Sequence, residues 1–204
     1  MKQDEDVHHH DHGSELSEME LRVRALESIL LEKGYVEPAA LDEIIETYEK
    51  KIGPRNGARV VARAWMDSDF KERLLSNGTA ACESLGLDLP ALKLVVVENT
   101  PQVHNVIVCT LCSCYPRMLL GIPPDWYKSF AYRSRMVKEP RKVLAEFGLE
   151  VEEGVALRVH DSTADMRYLV LPMRPTGTDG WDEARLAAIV TRNCMIGVDV
   201  PKVI

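Results

Sequence analysis

At 204 residues with 46% hydrophobic side chains, the chain can bury one sizeable core, with or without a helical extension, but not several full domains. Its 25 Lys and Arg against 32 Asp and Glu give a formal net charge of -7, with neither a basic run nor interleaved aromatics, so a nucleic-acid partner is not expected. No apolar run approaches the roughly 20 residues that span a bilayer, and the start Met1-Lys2-Gln3-Asp4-Glu5-Asp6 lacks the basic-then-apolar layout of a secretory leader, so a cytoplasmic protein without a membrane partner is expected.

In chain order, residues 1–15 come first as a polar tail with His8, His9, His10 and His12 among acidic residues, read as disordered; such a tract can bind divalent metals. Residues 16–80 form a helical N-terminal region. Met19, Val23, Leu26 and Ile29/Leu30 recur at helical spacing up to a stop at Gly34. Leu41, Ile44, Ile45 and Tyr48 mark a second helix ending at Gly53-Pro54. Val60, Val61, Ala64 and Trp65 mark a third, and Phe70, Leu74 and Leu75 a fourth that runs out at Asn77-Gly78.

Residues 81–204 are expected to form an α+β metal-binding core, a small sheet flanked by helices. Leu94-Val95-Val96-Val97 and Val106-Ile107-Val108 read as strands, the second leading directly into a cysteine cluster. Pro123 and Pro124 enforce extended or turn geometry, and Pro140 opens a helix through Val143, Leu144 and Phe147 that Gly148 closes. Val155/Leu157/Val159 and Met166/Tyr168/Val170 read as two strands paired with each other across Asp161-Ser162-Thr163. A last helix spans about 182–190.

Three of the five cysteines lie within six residues, Cys109-Thr110-Leu111-Cys112-Ser113-Cys114, which suits metal or redox chemistry better than a disulfide framework. The spacing sets three soft thiolates around one ion from a single tight loop. Structural zinc would want a fourth ligand, and His104, Cys82 or Cys194 would have to be recruited. If the loop wraps the ion, the backbone nitrogens of Ser113 and Cys114 add two strong donors and one position stays open for a small substrate or water. Such a donor set favours a trivalent low-spin ion. A reduced cysteine loop, a redox sensor or a metal-storage module are the competing readings.

The run Val108-Cys109-Thr110-Leu111-Cys112-Ser113-Cys114-Tyr115-Pro116 resembles the signature of nitrile hydratase α subunits and of their relative, the γ subunit of thiocyanate hydrolase. Further likeness lies in Arg24-Ala25-Leu26-Glu27-Ser28, Gly53-Pro54, Ala62-Arg63-Ala64-Trp65, Trp126-Tyr127-Lys128, Tyr132-Arg133-Ser134-Arg135, Arg174-Pro175, Gly177-Thr178 and Met195-Ile196-Gly197. The resemblance implies a metal held by Cys109, Cys112, Cys114 and the amide nitrogens of Ser113 and Cys114, with Cys112 oxidised to a sulfinate and Cys114 to a sulfenate. Ser113 and Cys114 would stand at the reacting centre. Thr110, in the variant associated with cobalt, favours Co(III), one per chain, over Fe(III). Also implied are a β subunit in a heterodimer or heterotetramer, whose arginines hold the oxidised sulfurs, a cobalt-loading activator, and a small nitrile hydrated to its amide. The nucleophile stays open between hydroxide on the ion, a nearby water and the Cys114 sulfenate oxygen. Tyr115, Arg117 and the pair Asp165 and Arg167 would stand around the pocket, the acid of that pair being commonly glutamate in the family.

Two departures point toward the thiocyanate enzyme, which releases carbonyl sulfide and ammonia. Arg117-Met118 replaces the usual tryptophan and proline after Tyr115-Pro116, and a glutamine expected before Leu94 is missing because Leu87-Asp88-Leu89-Pro90 is shortened. The ending Asn193-Cys194-Met195-Ile196-Gly197-Val198-Asp199-Val200-Pro201-Lys202 leans the same way, while the helical N-terminal half leans toward nitrile hydratase.

Overall fold

The computed structural model describes residues 18–46, 53–89, 93–111 and 114–203; the His-rich tail and Tyr48 lie outside them. The chain divides after Ile45 into two compact units. In the first, α1 (Glu18–Glu32) ends where Gly34, at φ 66°, lets the chain turn back and Tyr35 N–H donate to Leu30 O, and α2 (Pro38–Glu46) starts on a proline. A helix N-terminus suits proline because its missing N–H would have had no partner there.

The second unit opens with α3 (Pro54–Met66), again begun by proline, which buries Val60, Val61 and Ala64. Each buried valine contributes about 1.5–3 kcal/mol of hydrophobic stabilisation. Asp67 caps α4 (Ser68–Ser76) by accepting from Phe70 N–H at 2.9 Å. Asn77-Gly78 is more than the expected stop: Asn77 accepts from Ala80 N–H and so caps a further helix, α5 (Gly78–Glu83). Both α4 and α5 lie against the first strand.

Four strands follow the two expected pairs of segments: β1 (Lys93–Glu98), β2 (Val103–Val108), β3 (Ala156–Asp161) and β4 (Met166–Leu171). Their pairing corrects the sequence reading. The last two strands do not pair with each other; β2 pairs with β3 (Val103↔Ala156 to Val108↔Asp161) and β1 with β4 (Lys93↔Met166 to Glu98↔Leu171), both in parallel. Alternation reports that a strand has a buried face and not which strand lies beside it, and residues 162–165 lack the Asn-Gly type of turn that closes a tight hairpin. Parallel partners need a long crossover. Between β2 and β3 it is supplied by α6 (Arg117–Leu120), α7 (Asp125–Lys128), α8 (Phe130–Lys138) and α9 (Pro140–Glu146). After β4 come α10 (Glu183–Ala188), inside the expected last helix, and a further short helix, α11 (Arg192–Ile196), capped by Thr191.

From His104 to Val108, β2 is buried at every position, so its polar residues must be satisfied internally. Asn105 N–H and Nδ2 donate to Asn99 Oδ1, at 2.8 and 3.0 Å, and His160 Nε2 donates to Asn105 Oδ1 at 2.8 Å. His104 Nε2 donates to Gly197 O at 2.7 Å, which leaves Nδ1 to accept from Asn99 Nδ2 at 3.3 Å. Among the described residues no helix is long and apolar enough to cross a membrane.

Candidate metal centre

The cysteine loop leaves the end of β2. Cys109 is buried, and Ser162 N–H donates to Val108 O at 2.8 Å, so the β2–β3 ladder runs up to the loop's first residue. Thr110 is held on three atoms. Its N–H donates to Asp161 Oδ1 at 2.9 Å, its hydroxyl to Asp161 Oδ2 at 2.5 Å, and its carbonyl accepts from Arg133 Nη1 at 3.0 Å. Leu111 is 89% exposed at the tip. Cys112 and Ser113 lie outside the described residues.

On the far side of the loop, Cys114 is half-buried and its carbonyl accepts from the Tyr127 hydroxyl at 3.0 Å. Tyr127 is fully buried in α7. Its phenol is held well above its usual acidity range, first by burial and then by the Cys109 sulfur; Tyr115 and Cys114 act the same way. The two ends of the loop therefore converge on one neutral hydroxyl. Tyr115 is buried edge-on to Tyr127, ring centroids 5.1 Å apart, and donates to Leu120 O at 3.3 Å. Tyr132, from α8, donates to Ile107 O at 2.7 Å, and Trp126 sets its ring edge-on to Tyr132 and to Phe147. This aromatic floor fixes the loop's anchor points and keeps bulk water from its underside.

The remaining expected residues are dispersed. Arg117 is exposed at the start of α6. Asp165 is exposed before β4 with its carbonyl accepting from Lys93 N–H. Arg167 is half-buried in β4 with Nε and Nη1 covered and without hydrogen-bond partners; among the described residues it makes no ion pair with Asp165. None of the extra zinc ligands is available. His104 spends both ring nitrogens in the β2 network, Cys82 is buried in α5 with its thiol pushed up to about 12 by burial, and Cys194 is buried in α11 beside Thr191. Among the described residues no three His, Cys, Asp or Glu side chains are grouped as a ligand set.

Asp161, Arg133, Tyr127, Tyr132 and Ser162 were given no role by sequence reasoning. The sequence places Asp161 and Ser162 between two expected strands, and Asp161 is 51 positions from Thr110. No local pattern signals such a contact.

Residues 17–199 match the family model described as nitrile hydratase, alpha chain. The α subunit of the low-molecular-weight cobalt-containing nitrile hydratase of Rhodococcus rhodochrous is 51% identical over 185 residues, 90% of this chain and 89% of that one. Thiocyanate hydrolase subunit γ of Thiobacillus thioparus is 43% identical over 200 residues, covering 92% and 82%. Among solved structures, a double mutant of the iron-type nitrile hydratase from Comamonas testosteroni Ni1 superposes with a TM-score of 0.80 at 47% identity, covering 92% of each chain.

Proposed function

Because the chain belongs to the nitrile hydratase α-chain family, we propose that it is the metal-bearing subunit of a cobalt nitrile hydratase, adding water across the C≡N bond of small nitriles to give amides. The observation that carries this reading is the loop 109–114 with Thr110 clamped by Asp161 and Arg133 and Cys114 by Tyr127. A loop fixed at both ends suits three thiolates and two backbone amides converging on one ion. We assign Cys109, Cys112, Cys114 and the amide nitrogens of Ser113 and Cys114 as the ligands, with Cys112 as sulfinate and Cys114 as sulfenate. Once bound, trivalent cobalt would supply a strong Lewis acid with one open position. Iron is the second ion such a donor set would hold, and an iron-type enzyme is among the structural neighbours.

The chain's own residues supply the setting. Burial of Cys109 and the aromatic floor exclude water from beneath the loop, which strengthens every electrostatic interaction there. Tyr127 and Asp161 hold the backbone at Cys114 and Thr110, on either side of the proposed ligands. Leu111 at the exposed tip leaves room for a β subunit to close the site and to hold the oxidised sulfurs; a heterodimer or heterotetramer in the cytoplasm, loaded by an activator, is the assembly we assign.

A second reading, the γ subunit of a thiocyanate hydrolase, is favoured by Arg117, an exposed guanidinium directly after Tyr115-Pro116. The purified complex decides between them. We expect about one EDTA-resistant cobalt per chain, added oxygens on the peptide holding Cys112 and Cys114, and faster turnover of acetonitrile or benzonitrile than of thiocyanate. Zinc alone, or unoxidised cysteines in an active complex, would overturn the site; preferred turnover of thiocyanate would overturn the substrate.

A further inference from the structure

The segment that leaves the cysteine loop, 115–122, is held from two sides. On one, Asn56 Nδ2 of α3 and the Gly53 N–H before it donate to Met118 O at 3.1 and 3.3 Å. On the other, Arg192 Nη1 of α11 donates to Ile122 O at 3.0 Å. The base of that second hold is rigid, because Gly197, which ends α11 at φ 93°, lies so close to β2 that a Cβ would stand 2.1 Å from Asn105 O, and its carbonyl accepts from His104 Nε2. Arg192 does nothing for its own helix: it is the first residue of α11, where a cation opposes the helix dipole. It is half-buried, and its Nε is covered and makes no hydrogen bond among the described residues, a cost that methionine would avoid. A complement lies close by. The Tyr115 hydroxyl donates to Leu120 O, two residues before the carbonyl that Arg192 holds, at 3.3 Å, long for a hydroxyl bond, and among the described residues it accepts none. The Arg192 charge is near enough to pull that phenol back against the burial that raises its pKa.

We propose that Arg192 is a positioning residue for substrate selection: its guanidinium holds the Ile122 carbonyl through Nη1–H, offers Nε–H to the Tyr115 oxygen, and so fixes the segment between them, which carries Arg117. The inference rests on Arg117 facing the substrate pocket, as in the reading above. Arg192 transfers no proton and touches no substrate. With both ends of its segment fastened, Arg117 has less freedom to lose when it meets an anion, so the gain goes into anion affinity.

The test uses the cobalt-loaded complex with its partner subunit and compares the parent with Arg192→Met, Arg192→Lys, Tyr115→Phe, the Arg192→Met Tyr115→Phe double variant and Arg117→Trp. Each is measured for the KM of acetonitrile, for the apparent affinity of thiocyanate as substrate or as competitor, and for cobalt content. Arg192→Met should weaken thiocyanate about tenfold relative to acetonitrile, the loss of one charged contact, at unchanged cobalt content. An arginine that only stabilised the fold would weaken both ligands alike. Tyr115→Phe should act in the same direction and the double variant should lose no more than the worse single one, because the two side chains work as one unit. Arg192→Lys, which keeps the charge and one donor, should fall between, and it decides the matter should Arg192→Met lower cobalt content. A ratio unmoved by both Arg192 variants but moved in Arg117→Trp would overturn this inference alone, as would losses that multiply in the double variant. A parent without measurable affinity for thiocyanate, or a ratio unmoved in Arg117→Trp as well, would overturn Arg117 as a pocket residue, and this inference with it; hydration of acetonitrile by the parent tests the hydratase reading separately.

Discussion

Thr110 illustrates how one side chain can tie a loop to the body of the fold. A free serine or threonine hydroxyl in a loop contributes little, but here hydroxyl and N–H both donate to the Asp161 carboxylate while Arg133 takes the carbonyl. Hydrogen bonds to charged groups contribute about 1.5–3 kcal/mol each when well formed, and the exposure of Asp161 brings the pair toward the lower end. Asp161→Ala should lower the stability of the complex by about 1–2 kcal/mol in urea unfolding and reduce cobalt loading, whereas Asp161→Asn, which keeps one acceptor oxygen, should fall between. Unchanged cobalt content in Asp161→Ala would show that the loop keeps its shape without the clamp. Arg117 poses a question of substrate instead. A guanidinium beside a partly desolvated cavity attracts anions and penalises purely hydrocarbon groups. Arg117→Trp should raise kcat/KM for neutral nitriles and lower it for thiocyanate, one charge contact being worth about ten- to a hundredfold. Equal specificity ratios in parent and variant, at equal cobalt content, would place Arg117 outside the pocket.

Elements were legible in the sequence where their signals are local. The periodicity of Val60, Val61, Ala64 and Trp65 marked α3, and the spacing of Cys109, Cys112 and Cys114 marked the loop. Strand partners were not legible, because the choice between a hairpin and two parallel pairs depends on the 47 residues of crossover, 109–155, that alternation does not see. Packing at α3 was equally hidden. Glycine inside a helix usually costs about 1 kcal/mol relative to alanine, yet at Gly57 a Cβ would stand 2.7 Å from Leu119 O and 2.6 Å from Met195 Sδ. The sulfur could move; the backbone of α6 could not without shifting the segment next to the loop. Gly57→Ala should therefore destabilise the protein by about 1–3 kcal/mol in spite of its helix propensity, read as a lower urea midpoint. A stabilised variant would show that α3 and α6 have room to separate. The β2 network carries a pH dependence. Burial holds the His104 ring below its ordinary pKa against the opposing pull of the Gly197 carbonyl, and burial with the nearby Arg158 does the same to His160. The folded state thus binds fewer protons than the unfolded one as pH drops through about 6.5, so this stability is full above that value and is lost below it. The fall in urea midpoint between pH 7.5 and pH 5.5 should be smaller in His104→Gln than in the parent; parallel curves would remove His104 from the acid response.

At the scale of the whole molecule, the apolar surface is what needs explaining. In the first unit Met19, Val23, Leu26 and Ile29 of α1, which recur at helical spacing along one side, are all more than 45% exposed. In the second, Leu111 at the loop tip, Ile122 and Phe130 are exposed at 89, 62 and 77%. Single exposed apolar residues are ordinary on a protein surface; a helix stripe together with an apolar loop residue is what the proposed partner subunit would cover. The sequence showed the stripe but not what faces it, since periodicity is the same whether a helix packs on its own core or on a partner. The cysteine loop adds a chemical reason for a second chain: in the proposed centre the oxidised sulfurs would carry negative charge that cations of a partner could balance. Expressed alone, the chain should be poorly soluble, hold well under one cobalt per molecule and be inactive. Co-expression with a β-subunit frame should restore all three properties, seen as a single heteromeric peak in size-exclusion chromatography with cobalt and nitrile-hydrating activity eluting together. Full turnover by an isolated, well-metallated chain would mean that these apolar surfaces serve some other contact and that the site is complete without a partner.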